Sequence, residues 1–156
     1  MIICLCSQIC NKSDTINNIS SNETTNIKSN LSILLVEDSI VVSKTISRLL
    51  KMHGYDVEIA LNGAVALEFL INRSQSFDLI LMDLEMPVMN GYETARLYRE
   101  HEQRNSLARL PIIAISANDV VAVFQSCLEA GMDDFLPKPF VMPELVLVLR
   151  KFNLNI

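Results

Sequence analysis

The chain has 156 residues, 50% of them hydrophobic, and a formal net charge of −5. A domain of this length can bury about two thirds of its unfolded surface, and the negative charge argues against a nucleic-acid-binding surface, which is normally basic. No apolar run reaches the roughly 18 residues that a membrane span needs. No secretory signal is predicted either, because the first basic residue is Lys12. We therefore expect a cytoplasmic protein without a membrane span.

The first thirty residues differ from the rest in composition. The segment 11–30 contains six Asn, four Ser and three Thr but only three Ile, too little apolar surface to offset the entropy lost on ordering. We therefore predict a disordered arm over 1–30 and a folded domain over 31–156. Acylation, metal binding and disulfide formation remain open for Cys4, Cys6 and Cys10. A reduced or adventitious tail is the simplest interpretation, because these cysteines lack the spacing of zinc ligands.

From residue 32 onward, strand and helix patterns alternate five times. Short and mostly apolar runs predict five strands, at 33–36, 57–59, 79–82, 112–115 and 134–136. Helical spacing and Gly stops predict five helices, at 42–53, 64–70, 92–102, 116–130 and 144–152. The apolar stripe of the first helix is Val42, Ile46, Leu49 and Leu50.

This alternation predicts a parallel sheet covered by helices on both faces. A flavodoxin-like, doubly wound α/β fold satisfies the pattern, with five parallel strands in the order 2-1-3-4-5 and five helices. That order puts the first and third strands side by side. The side chains that follow these two strands are then expected to lie close together.

Acidic residues follow both of those strands. Glu37 and Asp38 come after the first strand, and Asp83 ends the third. Three carboxylates in one cleft repel each other unless a cation joins them, and oxygen ligands suit a hard divalent ion. The sequence therefore predicts a Mg²⁺ pocket, although each acid could instead start a turn or cap a helix.

Two further strand ends carry groups that could bind a phosphoryl oxygen. Ser116 ends the fourth strand, and Lys138 follows the fifth between Pro137 and Pro139. The hydroxyl can donate a hydrogen bond, and the ammonium can neutralise negative charge. Taken singly, Ser116 is also typical of a helix start, and Lys138 is also typical of a solvated loop.

At these residues the chain resembles a response-regulator receiver domain over about 31–152. The resemblance is carried, in family order, by Glu37-Asp38, Asp83, the Met-Pro-Val-Met-Asn-Gly loop at 86–91, Ser116-Ala117, Phe135 and Lys138-Pro139. The stretches 82–93 and 130–134 are most similar to receivers of the hybrid sensor kinase type.

The resemblance implies a role for each of these residues. Asp83 would accept a phosphoryl group from a histidine kinase or a histidine-containing phosphotransfer protein. Mg²⁺ would be bound by Asp38, Asp83 and the backbone carbonyl of Glu85, with Glu37 acting through water. Lys138 would pair with the phosphoryl group. Such a protein is not an enzyme in the usual sense, because it catalyses only its own phosphorylation and dephosphorylation.

The resemblance also implies a conformational switch formed by Ser116 and Phe135. Phe135 stands where Tyr is frequent in the family, so the switch would act through ring packing rather than a phenolic hydrogen bond. Glu37 stands where Asp is commoner, and its longer side chain can still hold a metal-bound water.

Two other functions are compatible with parts of the pattern. A receiver could act by docking alone, without phosphorylation. Asp83-x-Glu85 also superficially resembles the acid pair of haloacid dehalogenase phosphohydrolases, but there the motif belongs on the first strand. The end of the chain soon after Lys138 favours a stand-alone receiver.

The fourth helix carries two apolar stripes. One stripe, which can face the sheet, consists of Val120, Val123, Cys127 and Ala130. The second stripe, beside it, consists of Val121, Phe124 and Leu128. By the resemblance the second stripe faces outward. We therefore expect it to form a surface for a homodimer or a downstream protein, unless neighbouring loops cover it.

Overall fold

Alternating strands and helices form a single sheet with helices on both faces. The computed structural model describes residues 30–154 apart from 74–75 and 118–119, with only the backbone described in 120–122. The strands are β1 (Ser32–Val36), β2 (Asp56–Ala60), β3 (Leu79–Asp83), β4 (Ile112–Ser116) and β5 (Asp134–Pro137). The helices are α1 (Ile40–Met52), α2 (Gly63–Asn72), α3 (Gly91–Arg104), α4 (Val120–Glu129) and α5 (Met142–Lys151). The predicted arm at 1–30 and the three amino-terminal cysteines lie outside the described residues, apart from Asn30.

The sheet has the order β2-β1-β3-β4-β5, and all neighbouring strands are parallel. This confirms the predicted flavodoxin-like fold. Val36 of β1 is aligned with Met82 of β3, so the residues that follow them leave the sheet at the same level. The five carboxyl ends share one edge of the sheet, which is where open α/β folds bind ligands.

Helix ends follow local capping chemistry. The side chains of Ser39, Asn62 and Asn90 accept hydrogen bonds from the first turns of α1, α2 and α3. Gly54 has a φ of 86° just after the end of α1, a left-handed conformation that Gly adopts without strain. The last helix was predicted at 144–152 but begins at Met142, because Pro143 fits the first turn of a helix.

Two hydrophobic cores lie on opposite faces of the sheet. One packs alternate strand residues against α2, α3 and α4, and it includes Leu34, Ile80, Met82, Ala95, Tyr98 and Cys127. The other packs the intervening strand residues against α1 and α5, and it includes Ile33, Leu81, Ile46, Leu50, Leu145 and Leu149. Because β1, β3 and β4 are covered on both faces, their sequences are continuously apolar.

The buried face of α1 differs from the predicted apolar stripe. Ile46 and Leu50 are buried as expected, but Val42 is 36% exposed. Ser43 and Ser47 are buried instead. Ser43 can be accommodated because its hydroxyl donates to the carbonyl of Ile40. The helix therefore presents apolar side chains to the outside near its amino-terminal end.

A partly buried ion-pair network ties the opposite edge of the sheet together. The Asp133 carboxylate accepts from Arg99 Nη2 at 2.6 Å, from Arg109 Nε at 2.8 Å and from the Ile112 backbone N–H at 2.8 Å. Arg99 also donates to Glu102 at 2.6 Å. The network thus joins the end of α3 to the starts of β4 and β5.

In the described part of the chain, no helix is long and apolar enough to cross a membrane.

We predict that Asp133→Ala lowers the free energy of unfolding by about 3 kcal/mol, because it removes one of the two carboxylates that pair with the largely buried Arg99 guanidinium. The matched control is Glu100→Ala, which removes the exposed pair between Glu100 and Arg104. That change should cost less than about 1 kcal/mol. Urea unfolding followed by circular dichroism measures both, and equal costs would contradict a structural role for the network.

Candidate functional site

Three carboxylates meet at the carboxyl edge of the sheet. Glu37 and Asp38 follow β1, and Asp83 is the last residue of β3. Each offers an oxygen, and these oxygens all lie within 4.8 Å of one another. Asp83 is recessed, with 8% of its surface exposed, and Glu37 is buried. The pairing of β1 with β3 therefore brings together the acids that the sequence predicts to form a pocket.

Lys138 reaches into this cluster from the loop after β5. Its Nζ lies 2.5 Å from Glu37 Oε2 and 3.0 Å from Asp83 Oδ2. Its backbone N–H donates to the Ser116 carbonyl at 2.7 Å, which fixes the start of the loop to the end of β4. The Lys138–Pro139 peptide bond is cis. Glu37 thus contacts Lys138 directly, in addition to its predicted water-mediated role at a metal.

The charges of the pocket suit a divalent cation. One ammonium faces three carboxylates, so two negative charges remain uncompensated in a largely buried site. Oxygen ligands at this spacing match the preference of Mg²⁺, which accepts one or two carboxylates and keeps several waters. The donor set therefore fits the predicted ion. Exposed Glu85 lies in the loop that follows β3.

Gly91 allows the loop after Asp83 to close tightly. Its backbone N–H donates to the Leu84 carbonyl at 3.0 Å. A Cβ at this position would lie 2.2 Å from the Asp83 carbonyl oxygen, which is too close for any other residue without a shift. The Asn90 side chain then caps α3 by accepting from the Glu93 N–H. The position of Asp83 thus depends on a glycine that carries no chemistry itself.

The two predicted switch residues lie in different surroundings. Ser116 is buried at the end of β4 and is aligned with Pro137 of β5. Phe135 is aligned with Ala114, and its ring is part of the core formed with α4. The ring therefore packs beneath α4 rather than in the acidic pocket. A coupled movement of the two residues stays a prediction.

The fourth helix divides its apolar side chains between the core and the solvent. Cys127 and Ala130 are buried against the sheet, whereas Phe124 and Leu128 are 38% and 41% exposed. The side chain of Val121 lies outside the described residues. Burial raises the pKa of the Cys127 thiol and, together with that thiol, the pKa of the Tyr92 hydroxyl. Both groups therefore stay protonated at neutral pH, as expected for packing residues.

An apolar groove beside the pocket was not anticipated from the sequence. It has a volume of about 390 Å³, and its lining includes Val41, Val42, Leu49, Lys138 and Phe140. The sequence signal was the apolar run 40–42, which is wider than one helical stripe. Helical periodicity alone assigned Val42 of this run to the core.

The chain matches the model of the response regulator receiver domain over residues 33–150. Hybrid signal transduction histidine kinase M of Dictyostelium discoideum is 42% identical over 123 residues, which cover 79% of this chain and 5% of that protein. The receiver domain of sensor histidine kinase PA1611 from Pseudomonas aeruginosa, solved with a magnesium ion in its active site cleft, is 39% identical with a TM-score of 0.68. That alignment covers 78% of this chain and 96% of the other.

A third comparison involves a complex. The co-crystal structure of the Saccharomyces cerevisiae histidine phosphotransfer protein Ypd1 with the receiver domain of Ssk1 contains a chain that aligns with 28% identity. Its TM-score is 0.68, and the alignment covers 75% of this chain and 84% of the other. The two chains are therefore similar in sequence as well as in fold.

The matches extend over most of the described residues and include both strands that carry the acids. They also confirm the resemblance to receivers of hybrid kinases, although this chain spans only a small part of those proteins. Receiver domains are signalling modules. The chain belongs to the response regulator receiver domain family and is a receiver domain of two-component signalling.

Proposed function

We propose that Asp83 accepts a phosphoryl group from a phosphohistidine of a histidine kinase or histidine phosphotransfer protein. The observation that carries this proposal is the position of Asp83, recessed at the end of β3, within 4.8 Å of two other carboxylates and 3.0 Å from Lys138. A nucleophilic carboxylate held beside a cation has the groups that phosphoryl transfer requires.

In the proposed reaction, one carboxylate oxygen of Asp83 attacks the phosphorus atom of the donor phosphohistidine. The P–O bond forms as the P–N bond breaks, and the electron pair of the P–N bond returns to the imidazole, which takes up a proton. Asp38, Asp83 and the Glu85 carbonyl would hold Mg²⁺ directly and Glu37 through a water, and the bound ion would neutralise charge on the phosphoryl oxygens. Lys138 turns from its carboxylate partners towards the new phosphoryl group.

The consequence of phosphorylation in this proposal is a change around Ser116 and Phe135. The Ser116 hydroxyl donates to a phosphoryl oxygen, which moves the end of β4. Phe135 is aligned with β4 and packs beneath α4, so a shift of β4 alters the ring packing. The altered surface then serves an output partner. The proposal places the protein in the cytoplasm, acting on proteins rather than nucleic acids.

Two of the similar solved structures support this proposal. The PA1611 receiver was solved with magnesium in its active site cleft, and the Ssk1 receiver was solved with a histidine phosphotransfer protein. The acidic cluster and Lys138 of this chain offer groups that suit both a magnesium ion and a phosphoryl group. Docking without phosphorylation and phosphate-ester hydrolysis are the alternatives that the experiments below separate. Stand-alone action stays a prediction.

Acetyl phosphate with Mg²⁺ is expected to add one phosphoryl group to the protein, and Asp83→Asn is expected to abolish the addition because the amide is not a nucleophile. Intact-mass spectrometry measures the product. Asp78→Asn is the control, because Asp78 precedes β3 at the other edge of the sheet. Equal labelling of Asp83→Asn would refute the assignment, and continuous release of phosphate from p-nitrophenyl phosphate would favour the hydrolase.

The Mg²⁺ affinity should respond differently to changes at Asp38 and at Glu37, the two acids that follow β1. Asp38→Ala is expected to abolish Mg²⁺ binding because it removes a direct ligand, whereas Glu37→Gln should weaken binding by about tenfold through the loss of a water-mediated contact. Isothermal titration calorimetry measures the affinity without phosphorylation. Equal affinities in the wild type and both variants would contradict the proposed ligand set.

The proposed output surface on α4 is formed by exposed Phe124 and Leu128, together with Val121 as predicted from the sequence. Phe124→Asp should preserve folding and Asp83 labelling while weakening self-association or partner binding by about tenfold, because it places a charge on an apolar contact. Ile71→Asp, at a 50% exposed position on α2, is the matched control. Sedimentation velocity with and without acetyl phosphate measures self-association. Unfolding of Phe124→Asp, or unchanged size and partner binding in both phosphorylation states, would refute the surface.

A further inference from the structure

The first helix carries positive charge without any negative charge beside it in sequence. Over Ile40–Met52 it contains Lys44, Arg48 and Lys51 but no acidic residue, although the whole chain has a formal net charge of −5. Spacings of four and three residues place these cations on one side of α1, and we call them the basic stripe. Like charges at such spacings destabilise a helix. The stripe therefore weakens α1 unless a negative group lies against it.

No acid in the described ranges balances the basic stripe. All three residues are exposed, and none of them forms an ion pair with another described residue. Exposed cations on other helices do form such pairs. Arg104 on α3 pairs with Glu100 at 2.8 Å, and Lys151 on α5 pairs with Asp134 at 2.6 Å. The charge of α1 is thus directed outward.

An open groove lies between the basic stripe and β2. It has a volume of about 530 Å³, and its lining includes Ser47, Met52 and Ile59 together with the three cations. Ser47 is buried and Ile59 is partly buried, so the groove has a floor that water only partly reaches. It shares no lining residue with the groove that contains Lys138, because the two lie on different sides of α1.

The acidic side chains of β2 point away from this groove. Val57 and Ile59 pack with the core on the α1 side of the sheet, whereas Glu58 pairs with Arg73 at 2.7 Å on the other side. Side chains alternate along a strand, so Asp56 lies on the same face as Glu58. Neither acid of β2 therefore neutralises the basic stripe.

The outer edge of β2 can accept another strand. Within the described residues, β2 has a hydrogen-bonded neighbour on one side only. The Asp56 N–H and the Ala60 carbonyl bond to residues just before and just after β1, at 2.9 Å and 3.0 Å. Because successive residues direct their backbone groups to opposite sides, Val57 and Ile59 direct theirs to the outer edge. An edge of this kind is a template for strand addition.

We propose that this edge binds an acidic, extended segment of a partner protein, which adds to β2 beside the basic stripe. The added strand lies about 4.8 Å from β2, and its alternate side chains project on the α1 side about 7 Å apart. The cations follow one another at about 6 Å and about 4.5 Å along the axis of α1. Acids at alternate positions of the segment therefore meet successive cations.

An acidic segment suits this site better than a nucleic acid or an anionic membrane does. The net charge of −5 repels a large polyanionic surface, whereas a short segment interacts mainly with the local positive charge. The backbone groups at a strand edge are matched by the backbone of another strand. The groove also lies on the opposite side of α1 from Lys138, so the interaction does not depend on phosphoryl transfer.

Fluorescence polarisation of a labelled peptide of alternating glutamate and threonine tests the site. Arg48→Glu should weaken peptide binding by about tenfold, because it places a negative charge at the centre of the basic stripe. Lys51→Glu is a second variant with the same expected direction. The matched control is Arg96→Glu, an equal charge change at an exposed residue of α3 on the other face of the sheet. It should change the affinity by less than about twofold.

The fold and the phosphoacceptor site give independent readouts for the same variants. Arg48→Glu should maintain or raise the thermal unfolding midpoint, because it replaces repulsion along α1 with attraction to Lys44 and Lys51. Labelling of Asp83 by acetyl phosphate should stay at the wild-type rate. A loss of peptide binding is then not caused by unfolding.

Modified peptides separate strand addition from simple charge attraction. One form is N-methylated at the glutamates and the other at the threonines, and both keep every charge. Only one of these two sets of N–H groups can face β2, so one form should bind about tenfold more weakly than the unmodified peptide.

Four outcomes would overturn the proposal. The first is the absence of peptide binding to the wild type, and the second is unchanged binding in both Arg48→Glu and Lys51→Glu. The third is equal binding of the unmodified peptide and both methylated forms, which would exclude strand addition. The fourth is co-sedimentation of the wild type with phosphatidylserine-containing vesicles without binding of the peptide, which would identify a membrane surface instead. None of these outcomes bears on the role of Asp83.

Discussion

The repulsion among Glu37, Asp38 and Asp83 is the constraint on which the site depends. Parallel pairing of β1 with β3 forces these acids together, because it aligns Val36 with Met82 and ends both strands at one level. Lys138 offsets part of the charge, and it does so from β5, two strands away from β3 in the sheet. The pocket is therefore assembled by the whole sheet. Its remaining negative charge favours a divalent cation.

The opposite edge of the sheet supplies the rigidity that such a pocket requires. There, Asp133 and Arg99 join α3 to the starts of β4 and β5 through several charge-assisted hydrogen bonds. Charges in that network are balanced, whereas those in the pocket are not. This network therefore lies at the edge of the sheet away from the three carboxylates.

Close packing around the loop after β3 links the site to its surroundings. Gly91 lies against the Asp83 carbonyl, and Gly63 lies against Met89, so both helices that flank the loop press on it. Such contacts leave little freedom for the backbone near Asp83. Val88, in this loop, has a φ of 72°, which a β-branched residue rarely adopts.

The sequence by itself determined the strand and helix order, the parallel sheet and the set of polar residues at its edge. Continuous apolar runs can only be buried strands here, and residues that follow parallel strands must share an edge. This reasoning identified Glu37, Asp38, Asp83, Ser116 and Lys138 as candidates. The predicted strand order was confirmed because these signals are local: each depends on where one short strand ends.

The tertiary structure decided which faces are buried and which contacts form between distant segments. Periodicity assigned Val42 to the core of α1, but the neighbouring elements cover Ser43 and Ser47 instead. The pairing of Lys138 with Glu37, separated by 101 residues in the chain, depends on the loop path after β5. The loop after β3 is likewise hydrogen-bonded to Gly63 and Gly91, which lie on two different helices. Contacts of this kind depend on packing between elements, and no local pattern in the sequence encodes them.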